Sequence, residues 1–133
     1  IKLLNPVYDK FIQKFNLESD LNVDCLTQMS QSKLIIIDYI STSFLEAIIS
    51  NFPVIICLTK GYYLEKEYSD FFIDLEQCGI IQTDPLKLAV FVNKIKDNPN
   101  EWWGSSIVQD ARNKFIYDNI DTSEVILSQI KNF

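Results

Sequence analysis

Residues 35 to 57 read "IIIDYISTSFLEAIISNFPVIIC", and this stretch decides the fold class. Leu34 to Ile37 is a short continuous apolar run, the pattern of a strand covered on both faces in a parallel sheet. Asp38 to Ser43 leaves that strand. Phe44 to Ser50 then has helical spacing, with Leu45, Ile48 and Ile49 expected to face inward. Asn51-Phe52-Pro53 ends the helix, because proline biases its predecessor away from helical backbone. Val54 to Leu58 reads as a second buried strand.

The rest of the chain continues the alternation. Ile1 to Leu4 is expected to form a short strand. Pro6 suits a first helical turn, and Val7, Phe11, Ile12 and Phe15 then keep one apolar face. Val23 to Met29 is expected as a short helix. Thr59 to Glu67 is a loop carrying Lys60-Gly61-Tyr62-Tyr63. Tyr68 to Gln77 reads as a helix with Phe71, Phe72 and Leu75 inward, stopped by Gly79. Ile80-Ile81 is a very short strand. Asp84 and Pro85 supply the cap and first-turn proline of a helix lined by Leu88, Val92 and Ile95. Helical patterns close the chain over residues 101–117 and 122–130. Strands alternating with helices through short loops predict an α/β domain, a Rossmann-like layer of short parallel sheet flanked by helices. Right-handed crossovers put the strands' carboxyl ends on one edge, where ligands bind in such sheets. The turn at residues 41–43 and the loop at 60–63 both fall there.

Composition narrows the function. The 133 residues suit one domain, without repeats, low-complexity stretches or a flexible linker. No apolar run approaches the ~20 residues of a membrane span, and the first residues lack the pattern of a signal peptide. The chain opens on Ile1 without an initiator methionine and is expected to be part of a longer protein. The net charge of -6, with Arg112 as the single arginine, argues against nucleic acid and against an anionic membrane surface. Cys25, Cys57 and Cys78 are odd in number and far apart, as reduced core or near-core thiols of a cytoplasmic protein are. With no histidine, the chain holds neither a Ser-His-Asp triad, nor a Cys-His pair, nor an imidazole metal site. It has no P-loop and no G-x-G-x-x-G fingerprint.

Ser41, Thr42 and Ser43 carry the chemistry. Ser43-Phe44-Leu45-Glu46 matches a capping box, in which Ser43 accepts a first-turn amide and Glu46 reaches back. That reading leaves Ser41 and Thr42 unexplained. A helix N-terminus offers unpaired amides and partial positive charge, which favour phosphate, and further hydroxyls add donors without net charge. Glu46 would then be free to accept from ribose hydroxyls, so the two readings compete for it. Elsewhere, Tyr62 or Tyr63 offers a ring for stacking, and Asp70 and Asp74, one helical turn apart, fit a solvated face. Of Trp102 and Trp103, one is expected in the core and the other flat on a neighbouring helix; the alternative is a tryptophan exposed for docking.

The run over residues 35–56 resembles the C-terminal nucleotide-binding domain of glycosyltransferases with the GT-B architecture, and is similar to bacterial surface-carbohydrate transferases in particular. "FFIDLEQCGII" (residues 71–81) and "WWGSSIVQDARNKF" (residues 102–115) extend the resemblance to about Ile1 to Phe115. It implies that Ser41, Thr42 and Ser43 surround a donor diphosphate, that Glu46 binds the ribose, and that Lys60, Gly61 and Tyr62 lie near the phosphates or donor sugar. It further implies a nucleotide-sugar as donor substrate, no cofactor or metal, and an N-terminal domain carrying the acceptor site. Thr42 and Ser43 stand where related enzymes often have glycines. The strands and base-binding loop expected ahead of Ile1 are missing, so the base is not legible. A nucleotide-sugar epimerase or polyol-phosphate transferase on the same scaffold, or a non-catalytic interaction module, are the alternatives. The last predicts Glu46 folded back and no open groove above Ser41.

Overall fold

The computed structural model describes residues 6–18, 22–58 and 66–119. The strand expected at residues 1–4, the helix at 122–130 and the Lys60, Gly61 and Tyr62 loop lie outside the described residues. In chain order the elements are α1 (Pro6–Phe15), α2 (Cys25–Gln31), β1 (Ile35–Ile37), α3 (Thr42–Ile49), β2 (Val54–Cys57), α4 (Lys66–Gln77), β3 (Ile81–Gln82), α5 (Pro85–Ile95), α6 (Pro99–Trp103) and α7 (Ser106–Asn119).

The three described strands form a parallel sheet in the order β1-β2-β3. Ile35 pairs with Val54 and Ile37 with Ile56, and Ile56 in turn pairs with Ile81. The chain is therefore an α/β domain of the Rossmann-like layered type, as its alternating pattern predicts. Central β2 is buried along its whole length. Alternation along a strand sends Val54 and Ile56 to one face of the sheet and Ile55 and Cys57 to the other. Val54 and Ile56 join Ile35 and Ile81 in the main core, with Phe44, Ile48, Leu75, Trp103, Val108 and Phe115 packed above them. On the opposite face Ile55 is fully buried, whereas its β1 neighbour Ile36 is 51% exposed. β1 is thus covered on one face only, which corrects the expectation of a strand buried on both sides. A triplet of isoleucines cannot report this, because its residues are alike on either face.

The inward face of α3 also differs from expectation. Phe44, Ala47 and Ile48 are buried, while Leu45 and Ile49 are exposed. The i, i+3, i+4 stripe is intact but rotated by one residue, because the Phe44 ring packs against Phe115 of α7 at 6.2 Å between centroids. α2 begins two residues later than the pattern suggested. Asp24 caps it, accepting from Thr27 N at 2.9 Å and from Thr27 Oγ1 at 2.6 Å. These bonds hold the Asp24 carboxyl below its ordinary pKa. A depressed carboxylate stabilises above its unfolded pKa and loses that contribution as pH falls through the folded value. The first turn of α2 is accordingly expected to lose amide-exchange protection below about pH 4, where a free Asp titrates. Unchanged protection of Thr27 at pH 3 would contradict this.

At the other end of the sheet, Asp84 caps α5 as the sequence indicates, accepting from Leu86 N at 2.9 Å. Gly79 ends α4 with φ +92°, and a Cβ there would sit 3.1 Å from the Phe91 ring. Gly79→Ala is expected to cost about 1–3 kcal/mol, the range for a non-glycine residue held at positive φ. Denaturant midpoints would measure it. The single helix expected over residues 101–117 is instead two, broken at Gly104, where the chain turns through Ser105 N donating to Trp102 O.

Candidate functional site

β1 ends at Ile37, and five residues later α3 begins, so its N-terminus stands at the carboxyl edge of the sheet. Ser41 is the N-cap, extended at φ -141° and ψ 171°, and its Oγ accepts from Phe44 N at 3.4 Å. The sequence reading gave that role to Ser43 with Glu46 as the reciprocating acid. The structure corrects it: the residue three after Ser41 is Phe44, so no capping box forms with Glu46. Ser43 instead turns toward α2, where the Cys25 thiol donates to its Oγ at 3.7 Å. Thr42 and Glu46, four residues apart on one helix face, are both exposed. The three hydroxyls therefore have separate roles: Ser41 closes the helix end, Ser43 faces α2, and Thr42 shares the open face with Glu46.

A groove of about 400 Å³ runs along β1 beside α2, from Ser32 and Leu34 past Ile36 to Asp38, and reaches this edge at Ser41 and Ser43; Thr42 and Glu46 do not line it. Asp38 is the one charged residue lining it, so its described lining holds no cation. Asp84 and Asp38 also lie close enough to Cys57 to add to the burial that pushes its thiol pKa up. A larger recess, about 530 Å³, is lined by Phe91, Lys94, Asp97, Glu101, Trp102 and Ser105. It lies at the far end of α5, away from the strands' carboxyl ends. Among the described residues no group of three His, Cys, Asp or Glu side chains is placed to hold a metal ion.

Cys25 is exposed, which corrects the expectation of three core or near-core thiols; Cys57 and Cys78 are buried. Burial raises the pKa of both buried thiols, so neither presents thiolate at neutral pH. Of these three cysteines, native protein at pH 8 is expected to be modified by a thiol reagent at Cys25 alone, and urea-unfolded protein at all three, as read by peptide mapping. Modification of Cys57 or Cys78 in native protein would contradict their burial.

Asp74 forms an ion pair with Lys114 of α7. Of the tryptophan pair, one enters the core as expected, but the other meets its neighbouring helix edge-on and does not lie flat. Trp103 is buried, while half-buried Trp102 meets Phe91 of α5 edge-on and donates from Nε1 to Cys78 O. Sequence reasoning missed Cys25 as a neighbour of the hydroxyl turn, since eighteen residues separate it from Ser43 without a local motif. It also missed the side chains that hold the far end of α3. Arg112 donates from Nε to Ile48 O at 2.6 Å and from Nη2 to Ile49 O at 3.0 Å. Trp103 Nε1 donates to Asn51 O and Oδ1, and Gln109 Nε2 donates to the same Oδ1 at 3.2 Å.

A short parallel sheet flanked by helices, with a hydroxyl-capped helix N-terminus at its carboxyl edge, is a Rossmann-like layered architecture, in which ligands commonly bind at that edge. The model of the LIC12162 family transferases matches residues 5–133, and the chain belongs to that family. No curated protein and no solved structure matches it. Among the described residues no helix is long and apolar enough to cross a membrane.

Proposed function

We propose that this chain is the donor-binding part of a glycosyltransferase that takes its sugar from a nucleotide-activated donor, in the synthesis of bacterial surface polysaccharide. The observation that carries the reading is the groove along β1 that reaches the carboxyl edge of the sheet at Ser41 and Ser43, by the N-terminus of α3, in a member of a transferase family. The family makes group transfer the chemistry; the resemblance to GT-B donor domains makes the group a sugar.

In this reading the first-turn amides of α3 and the hydroxyls of Ser41, Thr42 and Ser43 donate to the diphosphate. Their donor hydrogens and the helix dipole meet negative charge as it develops on the leaving diphosphate. Glu46, exposed and free of a capping role, accepts from the ribose hydroxyls. Lys60, Gly61 and Tyr62, which follow β2 in the sequence, are assigned to the phosphates or donor sugar, with Lys60 as the cation that the described groove lining does not hold. The acceptor site and the catalytic base belong to an N-terminal domain of the same protein, which makes the 133-residue chain alone inactive. The reaction is a cytoplasmic one, since nucleotide-sugars are made and used there, and it needs no metal or cofactor from these residues.

The test is calorimetric titration of UDP, GDP, CDP and CMP into the intact protein and its Glu46→Ala and Ser41→Ala variants. One nucleotide is expected to bind saturably. Glu46→Ala is expected to weaken it by about tenfold or more, as removing a charged hydrogen-bond partner does. Binding of none of the four, or equal binding by all three proteins, would end this reading.

A further inference from the structure

The segment around the tryptophan pair and Arg112 has no part in the proposed donor contacts, yet it reaches both ends of α3. At the last turn, Arg112 holds the carbonyls of Ile48, which also accepts from Asn51 N, and of Ile49. Trp103 and Gln109 hold Asn51, which takes positive φ of 60° just beyond the helix. At the first turn, the Phe115 ring packs on Phe44, whose N–H is bonded to the Ser41 cap. Arg112 and Phe115 are three residues apart and so lie on one face of α7. Buried Val108 and Ala111 continue that stripe. α7, which packs more extensively on α4, thus touches α3 near both ends in antiparallel order, and the eight residues of α3 span only ~12 Å between those contacts.

We infer that α7 is a splint for α3, and that Arg112 is a positioning residue for the first-turn amides at the opposite end of that helix. Arg112 sets the axial position and rotation of α3 from behind, while Phe115 fixes the turn that carries the Phe44 amide. Its meaning for catalysis rests on the diphosphate reading above; its structural content does not. The planar guanidinium suits the task because its fixed fork meets two adjacent carbonyls at once, which an ammonium on a flexible stem does not. Half-buried, its guanidinium is already engaged by these two carbonyls and by Asn113 Oδ1.

The experiment compares amide NMR shifts and nucleotide affinity, with UDP, GDP, CDP and CMP as probes, in wild-type protein and in Arg112→Gln and Arg112→Lys. In Arg112→Gln the resonances of Ser43, Phe44 and Leu45 are expected to move as much as those of residues 48–51. The affinity for whichever nucleotide wild-type protein binds is expected to fall about three- to tenfold, the range that remote substitutions reach through packed networks. Arg112→Lys, which keeps the charge and most of the packing, is expected to move the same resonances in the same direction by less. Shift changes confined to residues 48–52 and to α6 and α7, with affinity unchanged, would overturn the inference even if the melting temperature fell. If wild-type protein binds none of the nucleotides, the diphosphate reading fails alone, and the first-turn shifts still decide the positioning role.

Discussion

Trp103→Ala is expected to destabilise the domain by about 3–5 kcal/mol, the cost typical of truncating a buried large aromatic side chain. Trp103 is 4% exposed and sits in the main core beside Phe115 and Val108. Its indole N–H also donates to the backbone and side-chain oxygens of Asn51 at 3.1 and 2.9 Å, so truncation opens a cavity and releases the turn into β2. A loss of this size is a large part of the 5–15 kcal/mol that holds a typical domain together. Trp103→Phe separates the two contributions: it keeps most of the ring volume and is expected to lose about 1 kcal/mol with the hydrogen bonds. Trp102→Ala should cost less than Trp103→Ala, since Trp102 is only partly buried, at the border of the core against Phe91 and Trp103. Urea unfolding followed by far-UV circular dichroism gives all three values. Equal losses for the two tryptophans would contradict the division of the pair.

Phe44→Ala carries the second large effect. Phe44 has no exposed surface and touches Phe115, which in turn meets Phe72 at 5.8 Å between centroids. Removing the ring is expected to cost about 3–5 kcal/mol. Because Phe44 N–H donates to the Ser41 hydroxyl, the same change is expected to release the cap, seen as lost exchange protection at residues 44–46. Phe44→Leu refills much of the volume and should recover most of the stability. An alanine variant as stable as wild type would show that the first turn of α3 is not anchored through this ring.

What was legible in the sequence follows from the range of the forces involved. The apolar runs at 35–37 and 54–57 and the Asp84-Pro85 start of α5 depend on neighbouring residues, and all were readable. The N-cap of α3 was ambiguous for a chemical reason: Ser41 and Ser43 are equally good caps, and the choice between them turns on where the helix docks. That docking is set by Phe115, seventy-one residues further on, which also rotates the buried stripe to Phe44, Ala47 and Ile48. Leu45 and Ile49 are apolar enough to have filled the same role, so local hydrophobicity could not choose between the two faces. The exposure of Ile36 was hidden for the same reason. In the candidate site, the hydroxyl turn announced itself as a cluster, whereas Cys25 and Arg112 reach α3 only through the tertiary fold. Gly104 could have signalled the break between α6 and α7, but a helical pattern on both sides of it masked the turn.

The most direct test of the donor-binding assignment is a map of where a nucleoside diphosphate lands on the intact protein, from amide shift changes along a titration with UDP, GDP and CDP. The expected map has its largest saturable changes at residues 38–46 and 60–63, and these changes are lost in Glu46→Ala. Saturable changes centred instead on the recess of Phe91, Lys94 and Trp102, or an absence of saturable change with every diphosphate, would contradict it.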